Sequence, residues 1–206
     1  MKGLLIKDFY MAKKHCILLI GISLLFFGIS IFGKTIYFAY YPIAIISILP
    51  MNILGYEDYY RWNKTEVTLP VSRTKAVLEK YILLFIFVLP AIIISNLVFF
   101  FIFSFDFREI ISLISIMLFT GVIVPSIAFP ICFKIGYTRA KVFIGILIPV
   151  IMGAIVFINV GNLSGEMLII GKFTPQQNAY LFSVAAMIFL GISMLLSIRF
   201  YKKREF

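Results

Sequence analysis

Charge is scarce in this chain. Only 14% of its 206 residues are Asp, Glu, Lys or Arg, against about 25% in a soluble domain. Acids are the rarest, nine against nineteen Lys and Arg, and there is one histidine and two cysteines. Each shortage excludes something. Hydrophobic residues make up 62% and mean hydropathy is +1.07. No soluble fold of this size can hide so much apolar surface, which excludes a soluble enzyme and a disordered tail. Cys16 and Cys132 both lie in apolar runs. They read as small core residues rather than a disulfide framework. His15, beside Lys13 and Lys14, has no second histidine and no intramembrane carboxylate to work with, which argues against metal ligation and acid–base chemistry. Lipid must therefore be part of the solvent, and the chain is an integral membrane protein.

Six uncharged stretches are present: 16–33, 35–55, 81–105, 110–133, 142–160 and 179–198. Runs of about 20 residues are transmembrane helices by length, because a helix satisfies its own backbone hydrogen bonds in lipid. The sequence thus predicts an all-α polytopic protein, one transmembrane domain over residues 1–206. The connectors divide sharply. The N-terminus, residues 56–80, residues 134–141 and the tail from Arg199 carry 16 Lys and Arg; Lys34, the 106–109 loop and residues 161–178 carry 3. Basic residues are retained on the cytoplasmic side, so both termini are expected there. The basic balance is a topology signal, with the anionic inner leaflet as counter-charge, and no nucleic-acid partner is expected. No small-residue cleavage site follows the first run, so no cleavable signal peptide is expected. High Ile, Lys and Phe usage hints at an AT-rich bacterial genome.

Residues 28–35 fit G-x-x-x-x-G-K-[ST], but the phosphate loop needs a strand before it and a helix after it. Here the match lies in an apolar run and reads as a helix end with a snorkelling lysine. All nine acids lie outside the six runs, whereas ion-coupled transporters keep an ionisable group in the membrane. Such a chain is not expected to power transport alone. The runs do hold prolines and amides. Pro90, Pro125, Pro149 and Asn96 are candidate pathway residues; the alternative is that the amides tie helices together and the prolines merely kink them. Residues 2–14 are moderately amphipathic, with Leu5, Ile6, Phe9, Tyr10 and Ala12 on one face and Lys7, Asp8 and Lys14 largely opposite. They read as a helix lying in the headgroup plane. The apolar island 167–170 is too short to span.

The longest inner loop, 56–80, is the informative one. Glu57, Asp58, Arg61 and Trp62 precede the Leu69-Pro70 break on a short helix, and Ser72 is placed to cap the next one. Mixed charge with aromatics there suits a docking surface for a soluble partner, or an interfacial aromatic belt.

The acid, the aromatic–Trp pair, Thr68-Leu69-Pro70-Val71-Ser72-Arg73 and then Lys80-Tyr81 resemble the "LP-[VI]-S-R … K-Y" loop of small bacterial permease subunits of type 2 ABC transporters, the export class. The resemblance implies that this loop docks a separate cytosolic ABC ATPase through Glu57, Asp58, Arg61, Trp62, Leu69, Pro70 and Arg73. It also implies two permeases, identical or paralogous, with two ATPases in a bacterial cell membrane. The expected cargo is hydrophobic or amphipathic: peptides, bacteriocins or antibiotics. On that reading the chain is not itself an enzyme and holds no cofactor or metal, ATP and magnesium belonging to the ATPase. The alternative is a stand-alone membrane protein, such as a bacteriocin immunity or stress protein, with no ATPase.

Overall fold

The computed structural model describes residues 2–33, 36–62, 72–103, 107–164 and 175–203. They form α1 (Lys2–Phe32), a 3-10 turn (Ile36–Ala39), α2 (Tyr40–Ser47), α3 (Leu49–Tyr59), α4 (Arg73–Phe103), α5 (Phe107–Ile135), α6 (Tyr137–Ser164) and α7 (Pro175–Lys203). No strand occurs among the described residues, as a chain solvated by lipid requires unless it closes a barrel.

Three helical stretches are long and apolar enough to cross a membrane: Arg73–Phe101, Ile110–Ile135 and Tyr180–Lys203. The two halves of α1, Gly3–Lys13 and Ile17–Phe32, meet at 66° and make a fourth if taken as one broken span. The fifth run, 142–160, lies within α6. The second, 35–55, is not one helix. It is a 3-10 turn and two short helices that break at Ile48. Pro50 is the cause: it has no N–H for the preceding turn, so the helix restarts with proline in its first turn, where no donor is needed.

The bundle is built round α5. Half of its apolar window is buried, against 17% for α7, and it touches α2, α3, α4, α6 and α7. Close approach depends on Gly121. A Cβ there would lie 2.7 Å from Val88 Cγ1 and 3.0 Å from Ile43 Cγ2, so α2, α4 and α5 meet at a position without a side chain. Met117, Phe129, Phe99 and Val88 are buried in one hydrophobic cluster with Ile43. Two polar fastenings join α4 to α7. The Tyr81 hydroxyl is 2.6 Å from Ser193 Oγ and 2.9 Å from Ser197 Oγ, and Arg73 Nη1 donates to the Lys202 carbonyl at 2.7 Å. Outward faces carry Ile146, Val150, Met187 and Leu195, all exposed, which is ordinary where lipid tails are as apolar as leucine.

The contacts bring the N-terminal half of α1, the end of α3, the start of α4, the end of α5, the start of α6 and the end of α7 to one end of the bundle. The described parts of the basic connectors converge there.

Gly121→Ala should lower stability by about 1–3 kcal/mol, the usual cost of overpacking a filled core. A Cβ added at Gly21 would meet nothing within 4 Å, so Gly21→Ala should be neutral or slightly stabilising. Thermal unfolding in detergent compares the two.

Candidate functional site

At the basic end, five ionisable side chains from three elements meet: Lys7 and Asp8 of α1, Glu57 of α3, and Glu79 and Lys80 of α4. Lys80 Nζ donates to Asp8 Oδ2 at 2.5 Å and to Glu57 Oε1 at 2.8 Å. Lys7 donates to the same Glu57 oxygen. Its ammonium lies 3.1 Å from Asp8 Oδ1 and 4.6 Å from the centroid of the Trp62 ring. Asp8, Glu57, Glu79 and Lys80 are each at most 3% exposed. Attraction between such pairs is several kcal/mol at an effective dielectric of about 20, set against a desolvation penalty of several kcal/mol per ion. The two nearly cancel. The network therefore contributes little net stability and a great deal of positional definition.

The local cause lies in the bend of α1. Its first half turns Lys7 and Asp8 inward, while Ile6, Phe9 and Tyr10 are exposed. The amphipathic pattern expected of residues 2–14 is present but inverted in use: the charged face is taken by the protein, not by water. The acids do lie outside the apolar runs, yet three of them are enclosed close beyond those runs.

Asp58, half-buried, makes a second joint. Its Oδ2 accepts the N–H of Tyr137 at 2.5 Å, at the first residue of α6. The Tyr137 hydroxyl donates to Asn52 Oδ1 at 2.8 Å. Burial pushes the phenol above the ordinary tyrosine value, which keeps it a donor. Its ring lies on Gly55, where a Cβ would come within 2.5 Å of it. Gly136, at φ 83°, makes the break between α5 and α6 that this contact requires.

The other expected docking residues separate. Arg61 is exposed and held at φ 54°, a left-handed conformation ending α3. Trp62 is half-buried against Lys7. Arg73 opens α4 and ties to α7. Ser72 precedes it, its Oγ 3.4 Å from Lys75 N. Leu69 and Pro70 lie outside the described residues, as do Lys34, Thr35 and the 167–170 island. Residues 28–32 continue α1, with no strand before them.

The four pathway candidates have different surroundings. Asn96 is buried between α4 and α5. Its Nδ2 donates to the Ile92 carbonyl at 2.8 Å and to Met117 Sδ at 3.3 Å. Pro125 is buried in α5 and Pro149 is exposed on α6. Pro90 lines a cleft of about 310 Å³ between α1, α2, α3 and α4, with Ile20, Leu24, Phe27, Pro42 and Phe87.

Sequence reasoning does not single out Asp8, Glu79, Lys80, Asn52 or Tyr137 as site residues. One signal is available. Lys7-Asp8 and Glu79-Lys80 are adjacent opposite charges, each a short way before an apolar run. The three carboxyl groups of the cluster and the Lys80 ammonium are buried. What the cluster can do is mechanical: displacing the end of α3 displaces Glu57, and with it Lys80 and the head of α4.

Lys80→Met should destabilise the protein by up to about 3–5 kcal/mol, since it leaves the buried Asp8 and Glu57 with Lys7 as the remaining cation. Adding Asp8→Leu and Glu57→Leu should restore part of that loss. Unfolding midpoints in detergent check both.

No curated protein and no solved structure matches the chain. Residues 3–202 match the family described as ABC-2 family transporter protein. With nearly the whole chain matched, over apolar helices gathered round one charged end, this protein belongs to the ABC-2 transporter family and is a membrane permease subunit of an ABC transporter.

Proposed function

We propose that the chain is the permease of an ATP-driven exporter in a bacterial cell membrane. It crosses six times, with both termini and the charge cluster on the cytoplasmic side. A separate cytosolic ATPase docks on the stretch from the end of α3 to the start of α4, around residues 57–73, and does the hydrolysis; the permease itself is not an enzyme. A second permease, identical or paralogous, completes the pathway. The observation that carries this reading is the shared Lys80 ammonium, which makes Glu57 of the docking segment, Asp8 of α1 and the start of α4 move together. The 16-to-3 distribution of basic residues supports the orientation. For the first half of α1, the exposed Ile6, Phe9 and Tyr10 support a place in the membrane surface.

The cargo on this reading is hydrophobic or amphipathic, a peptide or small antibiotic that enters sideways from the inner leaflet. The cleft at Pro90 supports it: its lining is almost wholly apolar, with Ser23 and Ser95 the hydroxyls present.

Reporter fusions after residues 34, 107 and 170 should read as external, and those after 65, 137 and 206 as cytoplasmic; a cytoplasmic reading at 170 sinks the six-span arrangement. Reconstituted with its ATPase, the permease should raise ATP turnover with amphipathic helical peptides or small hydrophobic drugs. Stimulation by sugars or inorganic ions alone would overturn the cargo class.

A further inference from the structure

One group in the charge cluster is left over. Lys7 and Lys80 supply two cations, and the carboxylates of Asp8 and Glu57 answer them. Glu79 is a third acid, 2% exposed, and among the described residues no cation lies within 4 Å of it. Its side chain is hydrogen-bonded to that of Asp8 instead. Two ionised carboxylates have no proton to place between them, so one of this pair must be a carboxylic acid. Asp8 is the ionised member: its Oδ2 accepts from Lys80, and its Oδ1 lies 3.1 Å from the Lys7 ammonium. Glu79 Oε1 is buried without a hydrogen-bond partner among the described residues, which a neutral carboxyl bears at far lower cost than a charged one. With a proton on Glu79 the cluster closes at two charges of each sign.

Few other charges bear on Glu79. Those that act on it are Lys80 beside it and Asp8 and Lys7 of α1; Glu57 of α3 is joined to it through the same two lysines. Asp58 of α3 is turned onto Tyr137, and Arg61 beyond it is exposed. The α2 helix carries no Asp, Glu, Lys, Arg or His. Lys134 of α5 lies over the Phe200 ring. From α7, Arg199, Lys202 and Lys203 are exposed, and the residue of α4 that α7 meets is Tyr81, two positions on and therefore on the far side of the helix.

We infer that the cluster is a binding site for a single proton, held on Glu79 and donated to Asp8, and that this proton latches the first half of α1 to the start of α4. When it leaves for bulk water, two like charges face each other within hydrogen-bonding reach. Asp8 is then driven off α4, and Lys7, the next residue, is drawn away from Trp62. The end of the bundle where α1, α3 and α4 meet is thus a joint that closes at neutral pH and loosens in alkali. The joint is a property of this chain alone and goes beyond the reading of it as a permease.

The protein carries its own reporter. Trp62 is the one tryptophan in the chain, and its ring centroid lies 4.6 Å from the Lys7 ammonium. In detergent or nanodiscs, raising the pH from about 6 to about 9 should change its fluorescence emission in one step, the ratio of the two forms moving about tenfold per pH unit as one proton requires. Glu79→Gln keeps the neutral shape and a donor for Asp8, so its emission should stay at the low-pH value throughout. Infrared spectra of protein isotope-labelled at the Glu side chains should show a protonated-carboxyl band at neutral pH that fades in alkali and is missing from Glu79→Gln. Constant Trp62 emission in the unsubstituted protein overturns the latch. A step that survives Glu79→Gln overturns the assignment to Glu79. The lack of a protonated-carboxyl band at neutral pH overturns the proton itself, and that result stands even if the variant does not fold. None of these measurements involves an ATPase, so their failure leaves the permease reading standing.

Discussion

The Lys80 ammonium stands one residue before the uncharged length of α4, and it is shared between Asp8 of α1 and Glu57 of α3. A cation buried to that extent is tolerable only with carboxylates beside it, so the helices carrying them must come to it. That requirement explains features which otherwise look unrelated. The first half of α1 lies at 66° to the second because Asp8 has to reach across the end of the bundle. Ile6, Phe9 and Tyr10 are left facing outward, while Leu4 and Ala12 are buried on the same side as Asp8. The last turn of α3 stays against α4, which fixes where the chain leaves for the loop beyond Trp62. Remove the cation and the elements of this end lose their common reference.

The rest of the end is fastened to the same frame by neutral or singly charged contacts. Asp58 joins α3 to α6, Arg73 and Tyr81 join α4 to α7, and α5 is enclosed by all of them. Packed interiors of this density do not deform smoothly; they shift between discrete arrangements. A displacement applied at the end of α3 therefore passes to α1 and α4 through ions and to α6 through a capped helix start. The mechanical consequence follows from connectivity, whichever partner applies the force.

Much of this is legible in the sequence, for a simple reason. Lipid imposes one rule on long uncharged runs, and α4, α5, α6 and α7 each contain the run that announces them. The second run reads as one helix because proline there looks like a mere kink, whereas Pro50 restarts the helix outright. The charge cluster is illegible for a different reason. Glu57, Glu79 and Lys80 lie in connectors, where charge is ordinarily solvated, and nothing in the linear order of residues says that Lys7 and Asp8 fold back over them. Asp58 and Tyr137 are 79 positions apart, a pairing that only tertiary structure creates. The amide of Asn96 reads as a tie between helices or a pathway lining. It is used mainly by its own helix, through the Ile92 carbonyl.

Four hydroxyls along the apolar length are used in the same way. Ser23 donates to the Leu19 carbonyl, Ser47 to Ala44, Ser115 to Ile111 and Thr120 to Ile116. Each hydroxyl proton is spent three or four residues back on its own helix, the arrangement that costs least where water is absent. In this conformation those protons are not offered to a guest, and the cleft at Pro90 presents mainly hydrocarbon. Among the described residues, ionic chemistry is confined to one end of the bundle and apolar contact to its length. A protein divided in this way can take force at the charged end without exposing charge along the membrane interior.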